Sequence, residues 1–180
     1  MNGMDSPPPL RQIYHMDVRT EHPKDAAAIR ALVTTAFAGA AHSSGTEAAI
    51  VEALRAAGAL TLSLVAEDRE RIVGHVAFSP VTINGAAGAW FGLGPVAVMP
   101  DAQGRGVGQR LISDGLDRLR GLGAMGCVVL GEPDYYRRFG FESDPTLFYP
   151  GVPASYFQRL AFTGTAPRGE IAYHDGFSAA

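Results

Sequence analysis

The first half of the chain shows two helical repeats of apolar residues, followed by strand-like alternation. Residues 15–19 predict a first strand, and apolar positions at helical spacing over 29–37 and 47–54 predict two helices. Alternating apolar residues over 60–66 predict a second strand, which ends in a charged turn at 68–71. The chain therefore begins in the order β-α-α-β.

The second half of the chain completes a sheet. Strands predicted at 72–83 and 89–99 flank Asn84 and Gly85, a pair that strongly favours a hairpin turn. The remaining predicted elements are a helix ending at 121–123, a buried strand at 125–130, a short helix at 133–139 and closing strands at 155–162 and 170–173. The full order, β-α-α-β-β-β-α-β-α-β-β, predicts an α/β fold with a mixed sheet.

Composition places this pattern in one globular domain. With 180 residues, of which 47% are hydrophobic and 18% charged, the chain can bury a sizeable core and is too apolar for wholesale disorder. We expect the polar, proline-rich residues 1–10 to form a flexible tail and residues 11–180 to form a single domain. We expect neither a signal peptide nor a membrane span. Because the single cysteine, Cys127, lies in an apolar run, a disulfide-free cytoplasmic protein is predicted.

Charge and histidine spacing narrow the range of partners. A net charge of −3 supplies no basic field for nucleic acid. The five histidines show no metal-ligand spacing, so no metal is expected. A homodimer and a monomer are both left open.

The most informative segment is a glycine loop between a strand and a helix. The strand ends at Pro100, and Gly104, Gly106 and Gly108 precede an amphipathic helix. Free backbone N–H groups at a helix start, without Cβ atoms in the way, favour a phosphate or pyrophosphate. Gly108 is followed by Gln and Arg, so the loop is not of the Walker type that binds ATP or GTP. Taken alone, the loop is also compatible with an ordinary helix start without a ligand.

Two motifs together resemble those of the GNAT superfamily of N-acetyltransferases. Gln103-x-x-Gly106-x-Gly108 follows a Val-x-Pro strand end, and a Tyr-x-x-x-Gly-Phe motif begins at Tyr136. The resemblance covers residues 15–177 and is strongest to the bacterial YhbS-like acetyltransferases, through the segments 74–80, 136–141 and 173–177. It implies a mostly antiparallel, twisted central sheet flanked by helices, with acetyl-CoA as co-substrate.

The resemblance also assigns roles to residues. The backbone of Val96 and Val98 would pair with the pantetheine arm, and an N–H near Ala97 or Val98 would polarise the thioester carbonyl. Residues of the glycine loop would hold the pyrophosphate. The implied coenzyme-binding residues are Val96, Ala97, Val98, Gln103, Gly104, Arg105, Gly106, Val107 and Gly108.

Tyr136 is the predicted general acid, which protonates the departing thiolate. The alternative is that Tyr136 is a core aromatic that packs near Phe139 and Phe141. In that case Tyr135 would be the general acid.

The general base is less clearly marked, because the central strand carries no carboxylate. His75 has a suitable pKa for a base or a water relay, and the alternative is a structural histidine bonded to a neighbouring strand. Glu47, at the start of the second helix, is the other candidate base. The alternative is that Glu47 is only a solvated acidic residue at a helix start. The amine can also enter already neutral. His174 and the loop 144–153, which includes Phe148 and Tyr149, are expected to line the acceptor side.

Two functions follow from these features. The first is transfer of an acetyl group from acetyl-CoA to a primary amine, of a small molecule or a protein, by direct attack in a ternary complex. The second is a coenzyme-A-binding module without transferase activity. Tyr136 and the complete glycine loop favour the enzyme, and the missing carboxylate of the central strand keeps the second function open.

Overall fold

The computed structural model describes residues 16–40 and 43–179. The strands are β1 (Met16–Thr20), β2 (Leu62–Asp68), β3 (Arg71–Ile83), β4 (Ala86–Val98), β5 (Gly126–Leu130), β6 (Leu147–Phe148), β7 (Phe157–Ala161) and β8 (Gly169–Tyr173). The helices are α1 (Ala26–Phe37), α2 (Glu47–Ala56), α3 (Val107–Gly121) and α4 (Pro133–Tyr136), with 3-10 turns at Pro23–Asp25, Pro100–Ala102, Arg137–Phe139 and Asp175–Ser178. The predicted tail at 1–10 and the first residue of the predicted first strand, His15, lie outside the described residues.

A mixed, mostly antiparallel sheet forms the centre of the molecule, as predicted. Within the described residues the main strand order is β1-β2-β3-β4-β5-β7, and β8 joins both β3 and the short β6. β4 and β5 are parallel, whereas β1 to β4 and the pair β5–β7 are antiparallel. Asn84 and Gly85 both adopt positive φ, 51° and 76°, which fits a tight hairpin turn. The two-residue strand β6 was not predicted, because it is too short to show a period.

Helices cover both faces of this sheet. On one face, α3 and α4 pack on a core that includes Val76, Phe78 and Cys127. On the other face, α1 and α2 pack on Val65 and Ala97. Side chains alternate between the two faces along each strand, so neighbouring residues of β3 and β4 belong to different layers.

The parallel pairing of β4 and β5 stops midway along β4. Paired residues run from Trp90 to Leu93, and the next two residues, Gly94 and Pro95, together face Ala77 of β3. This extra residue is a bulge, which bends the strand. Gly94 has a φ of 138°, a conformation that favours glycine, and Pro95 has no N–H to offer a ladder. Beyond the bulge, β4 therefore pairs with β3 alone and leaves its other edge open.

α3 approaches the sheet closely because Gly115 has no side chain. A Cβ there would lie 2.3 Å from Cε2 of Phe78, which is itself completely buried. By contrast, a Cβ on Gly121, at the end of the same helix, would meet no atom within 4 Å.

We expect Gly115→Ala to destabilise the protein relative to Gly121→Ala. Both changes bring a similar gain in helix propensity of up to about 1 kcal/mol. Only the first overpacks the core, at a cost of about 1–3 kcal/mol. Urea denaturation of the two variants measures the difference, and equal free energies of unfolding would contradict the packing described here.

Candidate active site

The open edge of β4 presents the backbone groups of Val96 and Val98. The Met99 N–H donates to the Val73 carbonyl of β3 at 2.9 Å, and Ala97 lies opposite His75. Peptide groups alternate in direction along an antiparallel ladder. The backbone N–H and C=O groups of Val96 and Val98 therefore point away from β3. Their N–H and C=O groups thus face the gap between β4 and β5. The Ala97 N–H faces β3, so it is not directed into this gap.

The glycine loop begins where the open edge ends. Gln103 donates from Nε2 to the Val98 carbonyl at 3.2 Å and so ties the loop to the strand. Gly104 and Gly106 have φ values of 73° and 79°, and a Cβ on either would meet no atom within 4 Å. Arg105, between them, is exposed. Both glycines are therefore required by the backbone and border open space.

The start of α3 supplies the donors of this loop. α3 begins at Val107, and the Arg110 N–H donates to the Gly106 carbonyl at 2.9 Å. The N–H groups of the preceding helical residues, Val107 to Gln109, have no acceptor within the helix. Together with the positive end of the helix dipole they form a cradle for an anion. The predicted loop residues thus come together with the strand end, as the sequence implied.

The two tyrosines of α4 take different positions. Tyr135 lines a cleft of about 370 Å³ beside the loop, with its hydroxyl 3.1 Å from a Cβ built on Gly108. Tyr136 packs its ring over Gly131 and edge-on against Phe141, with 5.9 Å between the ring centroids. Burial raises the pKa of Tyr136, so its hydroxyl stays protonated at neutral pH. Tyr136 is therefore a packed aromatic that also keeps the proton a general acid needs.

His75 belongs to a buried polar network behind β4. Its Nε2 lies 2.8 Å from Oγ of Ser63, whose proton is directed to the carboxylate of Glu21. Arg55 holds Glu21 through two hydrogen bonds, at 2.8 and 2.9 Å. Because the Ser63 proton is committed to a carboxylate, Nε2 of His75 must donate and Nδ1 carries the lone pair. Within residues 16–40 and 43–179, that Nδ1 has no partner.

Burial decides the charge of His75. The side chain is completely inaccessible, and burial lowers the pKa of His75 to about 4. An unperturbed histidine has a pKa of about 6.5. His75 is therefore neutral at pH 7, with its lone pair on Nδ1.

Glu47 is held by the turn that precedes α2. Its Oε1 accepts a hydrogen bond from the Ser44 N–H at 3.0 Å, and Oε2 accepts one from Oγ of Ser43 at 3.0 Å. These contacts fit a helix-start acid. Glu47 also borders a surface cleft between α1 and α2, where Phe37 and Ala48 form part of the wall.

Tyr173 explains why the central strand has no side chain at position 92. A Cβ on Gly92 would lie 2.5 Å from Cε1 of Tyr173, so the ring of Tyr173 occupies that space. Tyr149 packs edge-on against Tyr173 at 5.2 Å, whereas Phe148 is 44% exposed. Of the two aromatic residues expected to line the acceptor side, Tyr149 thus packs into the fold and Phe148 does not. His174 accepts a hydrogen bond at Nδ1 from the Gly176 N–H at 3.0 Å and caps a turn.

The sequence predicts neither a metal site nor a membrane span, and both expectations can be compared with the described part of the chain. In it, no group of three His, Cys, Asp or Glu side chains is arranged to hold a metal ion. None of its helices combines the length and the apolar character needed to cross a membrane.

A strand edge that leads to an anion cradle, with Tyr135 in the cleft beside the loop, suits an acyltransferase that uses a long amide-bearing thioester. The chain belongs to the GNAT acetyltransferase family, because the family model described as an acetyltransferase (GNAT) domain matches residues 17–143. It is 39% identical to the uncharacterised N-acetyltransferase YhbS of Escherichia coli K12 over 170 residues, 91% of this chain and 99% of that protein. The predicted family and enzyme class are confirmed.

Two solved structures support the same conclusion. A GNAT family acetyltransferase from Brucella melitensis in complex with acetyl-CoA is 52% identical, with a TM-score of 0.83 over 91% of this chain and 99% of that chain. YhbS from Escherichia coli in complex with CoA is 38% identical, with a TM-score of 0.84 over 92% of this chain and 93% of that chain. The predicted sheet architecture is confirmed by these neighbours.

Replacing Gly106 should weaken coenzyme binding. We expect Gly106→Val to lower the affinity for CoA about 10–100-fold, because methyl groups displace one or two hydrogen bonds from N–H groups to a charged phosphate. Gly58→Val is the matched control, since Gly58 also has positive φ, at 66°, and open surroundings. Calorimetric titration with CoA measures both. Equal affinities in two folded variants would contradict the cradle.

The buried His75 should make stability depend on pH. Its folded pKa of about 4 lies below the unfolded value of about 6.5, so the unfolded chain binds a proton first as the pH falls. Stability is therefore complete above pH 6.5 and declines towards pH 4, by at most about 1.4 kcal/mol per pH unit. Denaturation of the parent and of His75→Gln over this range tests it: the variant should lose this component of the slope, and identical slopes would contradict it.

Proposed function

We propose that this protein is a cytoplasmic, acetyl-CoA-dependent N-acetyltransferase that acetylates a primary amine of a small molecule or a protein. The observation that carries the proposal is the continuous path from the open edge of β4, at Val96 and Val98, to the donors at the start of α3. The acetyl-CoA and CoA complexes of the two related proteins support the choice of co-substrate.

The path supports one direction for the bound substrate. With the pyrophosphate at Gly104 to Gly108, the pantetheine arm runs back along Val98 and Val96 as an added strand. The thioester then lies near Gly94, where β4 leaves β5. The nearest N–H directed into the gap belongs to Val96, which we assign to the thioester carbonyl in place of the expected Ala97 or Val98.

Acetyl transfer proceeds in one ternary complex. The amine nitrogen attacks the thioester carbon, the Val96 N–H stabilises the negative oxygen, and the carbon–sulfur bond then breaks. Tyr136 donates its proton to the thiolate and regains one from solvent. No covalent enzyme intermediate is needed, in accord with the buried Cys127, whose pKa is raised by burial.

Three routes remain for the proton of the amine. The first is Nδ1 of neutral His75, whose lone pair has no donor among the described residues; a water would carry the proton to this buried and weakly basic nitrogen. Glu47 is the second route, and its carboxylate oxygens already accept hydrogen bonds from Ser43 and Ser44. The third route is an amine that enters neutral.

A coenzyme-A-binding module without transferase activity is the second candidate function. The specific observation in its favour is that Tyr173 excludes any carboxylate at Gly92 of the central strand. Free-thiol release from acetyl-CoA, measured with a panel of primary amines and lysine peptides, separates the two. Amine-dependent release supports the enzyme, whereas CoA binding without release supports the module.

Removing the hydroxyl of Tyr136 should slow the chemical step. We expect Tyr136→Phe to lower kcat by about 10²–10⁴-fold, the usual contribution of a general acid, with little change in the KM for acetyl-CoA. Tyr135→Phe is the matched control on the adjacent residue of α4. Steady-state kinetics on an accepted amine test this, and a larger loss in the Tyr135 variant would transfer the role to Tyr135.

A further inference from the structure

Two buried hydroxyl groups lie on the sheet face opposite α3. Neither Oγ of Ser79 nor the hydroxyl of Tyr173 has a hydrogen-bond partner in the described part of the chain. Ser79 is completely buried, and Tyr173 buries its hydroxyl although part of its ring reaches the surface. Because a buried hydroxyl without a partner is costly, such groups are nearly always bonded. Their partners are therefore not among the described residues, and a bound molecule or water can supply them.

The strand register brings both side chains over one point of β4. Ser79 faces Gly92 across the β3–β4 ladder, and Val81 faces Tyr173 across the β3–β8 ladder. A Cβ on Gly92 would lie 2.5 Å from the Tyr173 ring and 3.2 Å from Cγ1 of Val81. Ser79 and Val81 share a face of β3, so Ser79, Val81 and Tyr173 surround the bare backbone of Gly92.

This point lies beside the proposed reaction centre. Gly92 lies two residues before Gly94 on β4, and the bulge at Gly94 turns β4 away from β5. The thioester end of the substrate reaches the same turn from the edge of β4. A nucleophile held by Ser79 and Tyr173 would therefore approach the acetyl carbon from the sheet face opposite α3.

We propose that the hydroxyls of Ser79 and Tyr173 form a two-point seat for the attacking nitrogen of a primary amine. Each hydroxyl oxygen has lone pairs that can accept an N–H. A neutral primary amine offers two N–H donors and keeps its own lone pair free for the thioester. A secondary amine offers only one N–H, so one buried hydroxyl is left unsatisfied and the amine is disfavoured. This inference rests on the proposed function and names the residues that would hold its primary-amine acceptor.

The first test needs no acceptor. Ser79→Ala and Tyr173→Phe each remove one oxygen and keep the packing. If the hydroxyls are reserved for a ligand, the Tm of each variant without ligand should stay within about 3 °C of the parent or rise. If both variants lose more than about 3 °C, the hydroxyls stabilise the fold itself and the proposal is overturned.

The second test measures selectivity. Phenethylamine is compared with N-methylphenethylamine, and butylamine with N-methylbutylamine, in the parent and in the Ser79→Ala/Tyr173→Phe double variant. The parent should favour each primary amine by at least about tenfold in kcat/KM, and the double variant by less than about threefold. In the double variant, the fold-loss of this preference should exceed any fold-change in the KM for acetyl-CoA. Tyr156→Phe, at a tyrosine that is 38% exposed, is the matched control and should keep the parent preference.

The outcomes separate the two proposals. A double variant that keeps the tenfold preference overturns the seat, while the acetyltransferase function stands. A parent that acetylates none of the four amines, or any lysine peptide, contradicts the proposed function, and the seat is then decided by the Tm measurement alone.

Discussion

The bulge at Gly94 and Pro95 is the constraint on which the rest of the site depends. From Phe91 to Leu93, β4 is paired on both sides, with β3 and with β5. An extra residue opposite Ala77 bends the strand, and the pairing of β4 with β5 ends at this point. Without this departure the N–H and C=O groups of Val96 and Val98 would be used up inside the sheet. With it, a strand edge in the middle of a folded domain is available to a substrate.

The same bend aligns the edge with the anion cradle. β4 continues into the turn at Pro100–Ala102 and the glycine loop, and Gln103 fixes that loop to the Val98 carbonyl. The buried contact between Gly115 and Phe78 holds α3 close to the sheet. One strand therefore sets the positions of both the reacting end and the phosphate end of the substrate, and the close packing of α3 keeps their separation constant.

Local signals in the sequence predicted most of the fold and the loop. Asn84-Gly85, the apolar stripes of the helices and the three loop glycines each carry their information within a few residues, and each was found in the structure where it was predicted. The direction of Val96 and Val98 and the bond of His75 to Ser63 depend on register between distant segments. The position of Tyr173 over Gly92 joins the last strand to the central one, and no local pattern encodes that contact. For this reason the sequence could propose His75 as a base but could not show its burial or its tautomer.

The central claim is that the open edge of β4 and the start of α3 form one binding path, and a crystal structure of the protein with CoA tests it most directly. The account predicts pantetheine amides within hydrogen-bonding distance of the Val96 and Val98 backbones. It also predicts pyrophosphate oxygens on the N–H groups at Gly104 to Gly108. CoA bound elsewhere, or a β4 that pairs with β5 along its full length in the complex, would contradict it.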